Sequence, residues 1–229
     1  MLYQIIKRIF DAACAAVALV LSLPFWLIAA AGIKLSSPGP VFYRSRRLGK
    51  NGREFSVYKF RSMHLYQPED PASGKKSEGG FIANEKRMFA FGKLLRKSKL
   101  DELPQLLSIL AGTMSIVGPR PYPEKSVRKI YTGKYEKVLS VKPGLTGPDS
   151  LYDYAHGELF VKETQTYLEK VLPVRTELAM MYTERQGIAL DLACIFRTVS
   201  LIFRIMVLKQ KTFALTKLEA EAAKRAFQN

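Results

Sequence analysis

A long uncharged segment near the N-terminus constrains this chain more than any other feature. Residues 12–33 contain no charged side chain, and about 22 helical residues, at roughly 1.5 Å each, are long enough to cross a bilayer core. A secretory signal peptide fits poorly, because the segment is longer than a typical h-region and no small-residue cleavage site closes it before Lys34. The segment therefore predicts a membrane-embedded helix.

The residues on both sides of this segment argue against a simple transmembrane span. Basic residues lie before it at Lys7 and Arg8, and others follow it at Lys34, Arg44, Arg46, Arg47 and Lys50. Both ends therefore favour the cytoplasmic side. Pro24 removes a backbone donor at the middle, and Ser22 can hydrogen-bond a freed carbonyl nearby. We predict a re-entrant helix that breaks at Ser22 and Pro24 and returns to the same face; a kinked transmembrane helix is the alternative.

Composition indicates the kind of partner. Lys and Arg number 36 against 20 Asp and Glu, a net charge of +16, so the partner should be polyanionic or a negatively charged surface. Nucleic acid, acidic lipid and nucleotide phosphates all qualify. The two cysteines, Cys14 and Cys194, lie among apolar residues and favour a reducing compartment. His64 and His156 are far apart in sequence, so a structural zinc site lacks ligands.

Beyond residue 37 the pattern is typical of a mixed α/β, helix-rich domain. Alternating residues around a Gly-Lys-Asn-Gly turn predict a hairpin, with strands at residues 41–43 and 54–60. A surface loop is expected at residues 68–80. Helices are expected at residues 85–97, 101–110 and 158–186.

The C-terminal part contains a second apolar stretch, residues 188–208. Asp191, Arg197 and Arg204 recur there at helical spacing, so we predict an amphipathic helix lying in the membrane interface. A helix packed into the protein core is the alternative. Residues 216–229 predict a polar helix or a frayed tail. The predicted division is a membrane helix at 1–37, a catalytic domain at 38–208 and a polar tail at 209–229.

An acidic pair, Asp101 and Glu102, stands where a helix is expected to begin. Acidic residues are common in first helical turns because they complement the helix dipole. The neighbouring residues favour a functional role, since Arg96 precedes the pair and Gly-Pro-Arg-Pro follows at 118–121. The two prolines hold Arg120 on a stiff loop, where its guanidinium can present a fork to a phosphate.

A basic strand end offers further candidates. Lys59 and Arg61 share one face of the second hairpin strand, while Phe60 points to the other. The alternative is a half-buried strand with a solvated basic edge.

Taken together, these segments resemble the bacterial sugar transferase family. Its members are monotopic phosphoglycosyl transferases, also called polyprenyl-phosphate hexose-1-phosphate transferases. The resemblance covers roughly residues 7–208 and describes a short form with the catalytic unit only, without the four-helix transmembrane bundle of larger members. The segments that carry it are Lys7-Arg8 with Asp11, the apolar run with Pro24, and residues 39–42, 58–63, 100–106, 115–121 and 142–147.

The resemblance implies a re-entrant helix and a small catalytic domain on the cytoplasmic face of a bacterial inner membrane. It implies transfer of a sugar-1-phosphate from a UDP-sugar to a polyprenyl phosphate, expected to be undecaprenyl phosphate. Asp101 would attack the β-phosphate, release UMP and form a covalent intermediate that the polyprenyl phosphate resolves. This reaction is the first membrane step of polysaccharide or glycoconjugate assembly.

The same resemblance assigns the site residues. Asp101 and Glu102 are the catalytic pair and would hold Mg²⁺, which neutralises diphosphate oxygens. The predicted phosphate contacts are Lys59, Arg61, Arg87, Arg96 and Arg120. The predicted partners are UDP-sugar, polyprenyl phosphate and membrane lipids, with no nucleic acid, and a homodimer is left open.

Two departures from the family pattern and two rival functions complete the prediction. Leu23 precedes the break proline where relatives often have Ser, and Pro148-Asp149-Ser150 stands where many have Trp and Gln. One rival function is single-step transfer with Asp101 as metal ligand or base. The other is a non-enzymatic, basic, membrane-associated binding protein.

Overall fold

The computed structural model describes residues 2–65, 87–157, 159–161 and 163–228, and shows a helix-rich mixed α/β protein, as predicted. Its strands are β1 Phe42–Leu48, β2 Glu54–Phe60, β3 Ser115–Val117 and β4 Gly144–Thr146. Its helices are α1 Leu2–Ser36, α2 Ala90–Lys97, α3 Leu106–Leu110, α4 Glu124–Ile130, α5 Pro148–His156, α6 Thr164–Thr166, α7 Leu172–Arg185, α8 Ile188–Met206 and α9 Lys217–Phe227.

The predicted helices between the hairpin and the C-terminus are present with shifted bounds. The helix expected at 101–110 begins as a 3₁₀ segment, Leu100–Gln105, and becomes α-helical only in α3. Pro104 lies inside that segment and cannot donate a helical hydrogen bond. A π-helical turn, Tyr167–Val171, joins α6 to α7. The loop predicted at 68–80 lies outside the described residues.

α1 contains the predicted membrane segment and is the one described helix long and apolar enough to cross a membrane. It remains helical through Pro24. Ser22 Oγ donates to the Leu19 carbonyl and accepts from Trp26 Nε1, both at 3.0 Å. Because Pro24 removes only one backbone donor and Ser22 bonds in the adjoining turn, the helix is not interrupted there. The re-entrant path stays a prediction.

α1 is attached to the rest of the protein near both ends. Near its start, Asp11 accepts hydrogen bonds from Ser115 Oγ at 2.7 Å and from the Ile116 amide at 3.1 Å. Near its end, Ile33 is fully buried in a core cluster with Phe60 of β2. Between these attachments Phe25 and Trp26 are partly buried against the cluster that contains Phe60. Other large apolar side chains of this part of the helix are exposed: Val17, Val20, Leu21, Leu23, Leu27 and Ile28.

The hairpin is present as predicted. β1 and β2 pair antiparallel, with Leu48 opposite Glu54 and Tyr43 opposite Lys59. Asn51, at φ 57°, and Gly52, at φ 71°, adopt the left-handed conformations that close the turn. β1 is longer than the predicted residues 41–43, because the basic residues that follow continue the pairing.

A second, parallel sheet was not predicted from the sequence. β3 pairs with β4, with Ser115 opposite Gly144 and Val117 opposite Thr146. A Cβ on Gly144 would lie 2.1 Å from the Gly118 amide nitrogen, so only glycine permits this approach. The pairing places the loop after β3 directly beside α5.

α8 is amphipathic, as predicted, and one of its faces packs into the protein core; its placement in a membrane interface stays a prediction. Cys194, Leu201 and Ile205 pack into the core, while the opposite face exposes Phe196, Val199 and other large apolar side chains. The last segment forms α9, the helical alternative. Ala222 of α9 is fully buried in the cluster that includes Leu178 of α7, and a Thr216–Glu219 capping box begins the helix.

Candidate active site

The acidic pair lies on the 3₁₀ segment Leu100–Gln105. Lys99 precedes this segment in a left-handed conformation, φ 60°, which turns the chain away from α2. Asp101 and Glu102 are both buried, at 4% and 7% exposure. Buried carboxylates need partners or a function, because burial of an unpaired charge is costly.

Glu102 is held by two cations from different elements. Lys59, next to the end of β2, donates to Oε1 at 2.5 Å, and Arg120 Nη2 lies 3.5 Å from the same oxygen. Burial alone would raise the pKa of Glu102, but Lys59 and Arg120 outweigh burial and hold the pKa well below the usual range. Glu102 therefore remains ionised.

Asp101 is in a different environment. Its Oδ1 is buried and has no hydrogen-bond partner among the described residues. Burial raises the pKa of Asp101, and the charges of Lys59, Lys99 and Arg96 only partly oppose it. A carboxylate oxygen that is both more basic than usual and unpaired is suited to attack an electrophile.

Arg120 is positioned by the loop between β3 and α4. The Gly118 amide donates to the Thr146 carbonyl and the Gly144 amide to the Pro119 carbonyl, both at 2.9 Å. The Arg120 amide donates to Asp149 Oδ2 at 3.0 Å. Asp149, within the departure from the family pattern at 148–150, is buried and thus fixes the backbone of Arg120.

The structure brings together three of the five predicted phosphate contacts. Lys59 and Arg120 contact Glu102, and Arg96 lies close enough to Asp101 to act on its charge. Arg61 is used elsewhere, since its guanidinium donates to Ser37 Oγ and to the Ser37 and Pro40 carbonyls at 2.7–2.8 Å.

Arg87 also lies apart from this cluster in its described contacts. Its guanidinium donates to the His64 carbonyl at 3.2 Å, and its own carbonyl accepts from the His64 amide at 2.9 Å. Arg61 thus anchors the chain after α1, and Arg87 is tied to the segment after β2.

Arg47 and Gln105 are site residues that the sequence reasoning missed. Both line a small polar cavity with Lys59, Glu102 and Arg120. The hairpin register could have predicted Arg47. Residues 43, 45 and 47 face the same side of the hairpin as their partners 59, 57 and 55, so Arg47 lies on the same face as Lys59. Gln105 Nε2 is buried without a hydrogen-bond partner in the described part of the chain, so this lining residue has a donor to offer a ligand.

A sequence model described as bacterial sugar transferase matches residues 2–205. The chain belongs to this family. The resemblance drawn from the sequence motifs is therefore confirmed, and the match includes the elements that carry the acidic pair, Lys59 and Arg120.

Curated relatives share the same region. The UDP-glucose:undecaprenyl-phosphate glucose-1-phosphate transferase of Xanthomonas campestris pv. campestris is 36% identical over 217 residues, which is 92% of this chain and 40% of that protein. The exopolysaccharide production protein ExoY of Rhizobium meliloti (strain 1021) is 40% identical over 150 residues, 62% of this chain and 66% of that protein. The undecaprenyl-phosphate galactose phosphotransferase of Salmonella typhimurium is 30% identical over 210 residues, 88% of this chain and 41% of that protein.

Proposed function

We propose that this chain transfers a sugar-1-phosphate from a UDP-sugar to undecaprenyl phosphate, through a covalent intermediate on Asp101. The observation that carries the proposal is the contrast within the acidic pair. Glu102 is neutralised by Lys59 and Arg120, whereas Asp101 has a buried, unpaired oxygen. Relatives that match most of the chain are named for this type of transfer.

The first step uses Asp101 as the nucleophile. Its carboxylate oxygen bonds to the β-phosphorus, the bond from that phosphorus to the oxygen bridging it to the α-phosphate breaks, and UMP leaves with the electron pair. Arg47, Lys59 and Arg120 surround the polar cavity and are placed to stabilise the negative charge of the phosphates. Gln105 offers a neutral donor to the same oxygens.

The second step restores Asp101. An oxygen of undecaprenyl phosphate attacks the phosphorus, and the acyl phosphate bond breaks. Asp101 is released as a carboxylate, and the product is a sugar joined to undecaprenol by a diphosphate. Splitting one displacement into two lets the same cations serve both donor and acceptor.

Mg²⁺ is the cofactor that we propose. No cluster of three or more His, Cys, Asp or Glu side chains occurs in the described ranges, but Mg²⁺ bound with phosphates needs only one or two carboxylates from the protein. The ionised Glu102 fits this requirement, and the second oxygen of Asp101 would add a ligand while the unpaired Oδ1 attacks the phosphorus. The ion would neutralise diphosphate oxygens, and Asp101 and Glu102 would hold it.

Membrane topology belongs to the same proposal. α1 would bend at Pro24 without losing its helical structure, and so enter the cytoplasmic leaflet of the inner membrane and return to the same face, with the catalytic domain on that surface. Both ends of α1 contact the catalytic domain through Asp11 and Ile33, its middle exposes apolar side chains, and basic residues flank both ends. Basic residues near an anionic leaflet contribute about 1 kcal/mol each.

A trapping experiment tests the reaction. Purified protein is mixed with UDP-sugars labelled in the β-phosphate, quenched in denaturant and analysed by intact mass and UMP release, without acceptor. We expect a phosphosugar adduct that hydroxylamine removes, as it does acyl phosphates, and that is absent in Asp101→Asn. Asp191→Asn, which changes another buried aspartate, should still form the adduct. UMP release that requires the acceptor and leaves no adduct would favour single-step transfer.

Cysteine labelling tests the topology. Leu2→Cys and Arg46→Cys are each introduced into a Cys14→Ala, Cys194→Ala background, because Leu2 and the Arg46 side chain are exposed. In intact cells an impermeant maleimide should label neither, and in inverted vesicles it should label both. Labelling of Leu2→Cys from the periplasm would establish a spanning helix instead.

A further inference from the structure

A second cavity, of about 260 Å³, adjoins the site at Glu102 and Arg120. Its lining is mainly apolar and comes from the 3₁₀ segment, β4, α5 and α8. The apolar side chains include Leu100, Leu103, Leu145, Leu151, Val199 and Ile202. One water needs only roughly 10–15 Å³ of such space, so this cavity has room for a substantial part of a ligand.

The polar groups of the lining are mostly occupied within the protein. Ser98 Oγ donates to the Leu94 carbonyl at 2.8 Å, and Thr198 Oγ1 donates to the Cys194 carbonyl at 2.7 Å. Ser150 Oγ is the buried lining hydroxyl without a partner in the described structure. A uracil or a sugar needs several free partners, so the chemistry of this cavity favours a hydrocarbon.

α8 connects the cavity to the apolar outer surface. Val199 lines the cavity and is nevertheless 65% exposed, so it stands at the opening. Phe196 and Phe203, one turn away on either side, are 71% and 53% exposed. A chain bound in the cavity could therefore continue along α8 into lipid without crossing a polar surface.

The opposite end of the cavity is charged. Glu102 and Arg120 belong both to this cavity and to the polar cavity that contains Lys59 and Arg47. Lys99 adds another cation to the apolar cavity. A molecule with a phosphate at one end and a hydrocarbon chain at the other matches this distribution of charge.

We propose that the apolar cavity binds the isoprene units next to the phosphate of the acceptor, with that phosphate at Arg120 and the rest of the chain leaving past Val199. This inference rests on the proposed function and adds the location of the acceptor. Donor and acceptor then approach the acidic pair from different cavities that meet at Glu102 and Arg120.

A steric variant tests the cavity. Val199→Trp places a bulky ring at the opening, and because Val199 is exposed the change should not unfold the protein. We expect KM for undecaprenyl phosphate to rise about tenfold, with adduct formation from UDP-sugar alone changing less than twofold. Leu192→Trp is the matched control, since Leu192 is also exposed on α8 but does not line the cavity. An unchanged KM in Val199→Trp, or an equal rise in Leu192→Trp, would overturn the proposal.

Photo-cross-linking gives an independent result. An isoprenoid phosphate carrying a diazirine on its first isoprene unit should cross-link to residues 145–151 or 195–202 in the wild-type protein. Cross-links confined to α1 would place the acceptor elsewhere and overturn the cavity assignment. Failure of the cavity assignment can be told apart from failure of the proposed function. The proposed function fails if the wild-type protein does not turn over any UDP-sugar with undecaprenyl phosphate. Cross-linking needs no turnover, so it tests the cavity alone.

Discussion

Asp101 and Asp191 are both buried, at 4% and 7% exposure, but they have opposite hydrogen-bonding environments. Asp191 Oδ2 accepts from Tyr3 at 2.8 Å and from Lys7 at 2.7 Å, and Oδ1 accepts from Tyr182 at 2.8 Å. Asp101 Oδ1 has no such partner within the described residues. A fully paired buried carboxylate joins elements together, whereas an unpaired one is a cost to stability that a reaction can use.

The largest expected effect comes from Asp101→Asn. The amide keeps the shape of the side chain but cannot form the acyl phosphate, so turnover should fall at least about 1,000-fold. UMP release under saturating substrates measures the loss. The unfolding temperature should be no lower than that of the wild type, because the substitution removes a buried charge whose burial the neighbouring cations only partly offset. A fall of several degrees with partial activity would make Asp101 a structural residue like Asp191.

Glu102→Gln should have the next largest effect. The amide loses the charge that pairs with Lys59 and Arg120, and with it one proposed Mg²⁺ ligand, so turnover should fall about 100-fold. The Mg²⁺ concentration needed for half-maximal activity should rise. Glu124→Gln is the control and should retain full activity, since Glu124 pairs with Arg128 at the exposed surface. An unchanged Mg²⁺ requirement would contradict the assignment of Glu102 to the metal.

Asp191→Asn should lower stability and leave activity unchanged, whereas Asp101→Asn should do the reverse. It breaks the buried pair with Lys7 and weakens two tyrosine hydrogen bonds, so the free energy of unfolding should fall by about 1–3 kcal/mol. Denaturant unfolding in detergent measures the change. Activity per folded molecule should stay near that of the wild type. A loss of activity as large as that of Asp101→Asn would show that the two aspartates do not differ in role.

The smallest effect is a shift in pH dependence. Because burial raises the pKa of Asp101, adduct formation should decline on acidification at a pH above the ordinary aspartate value of 3.8. Lys59→Met should move this decline to higher pH, since the Lys59 charge lowers the pKa of Asp101. Rates of adduct formation between pH 4 and 9 measure both midpoints. A midpoint that does not respond to Lys59→Met would show that another group controls it.

The same raised pKa has a consequence for stability. A carboxyl whose folded pKa exceeds its unfolded value stabilises the fold below the unfolded pKa, and this contribution is lost as pH rises through the folded pKa. The wild type should therefore lose stability relative to Asp101→Asn as pH increases. The difference in unfolding temperature between the two proteins should be larger at pH 8 than at pH 4.

The elements predicted from sequence are those whose signal is local. The hairpin followed from its Gly-Lys-Asn-Gly turn, α8 from the spacing of Asp191, Arg197 and Arg204, and the acidic pair from its basic neighbours. The β3–β4 pair was missed because each strand has three residues and depends on a glycine contact between segments distant in sequence. Local pattern does not encode that contact.

The site was predicted less completely than the fold. Which residue a lysine or arginine side chain binds depends on tertiary structure, and the sequence pattern does not show it. Lys59 and Arg61 share one strand face, yet Lys59 reaches Glu102 while Arg61 bonds to Ser37. Arg47, counted in the sequence among the membrane-flanking basic residues, also lines the polar cavity, which the sequence did not predict. The role of Asp149 in holding Arg120 also needed the structure, since the two residues meet only through the β3–β4 pairing.

In the proposed topology, the attachment of α1 at its two ends would set the distance between the bilayer and the catalytic groups. Asp11 is bonded to β3, which leads into the Arg120 loop, and Arg61 joins the chain after α1 to the strand that carries Lys59. With α1 in the leaflet as proposed, the helix acts as a fixed spacer between lipid and catalytic groups. The depth at which α1 settles would then decide how far a lipid phosphate must rise to react.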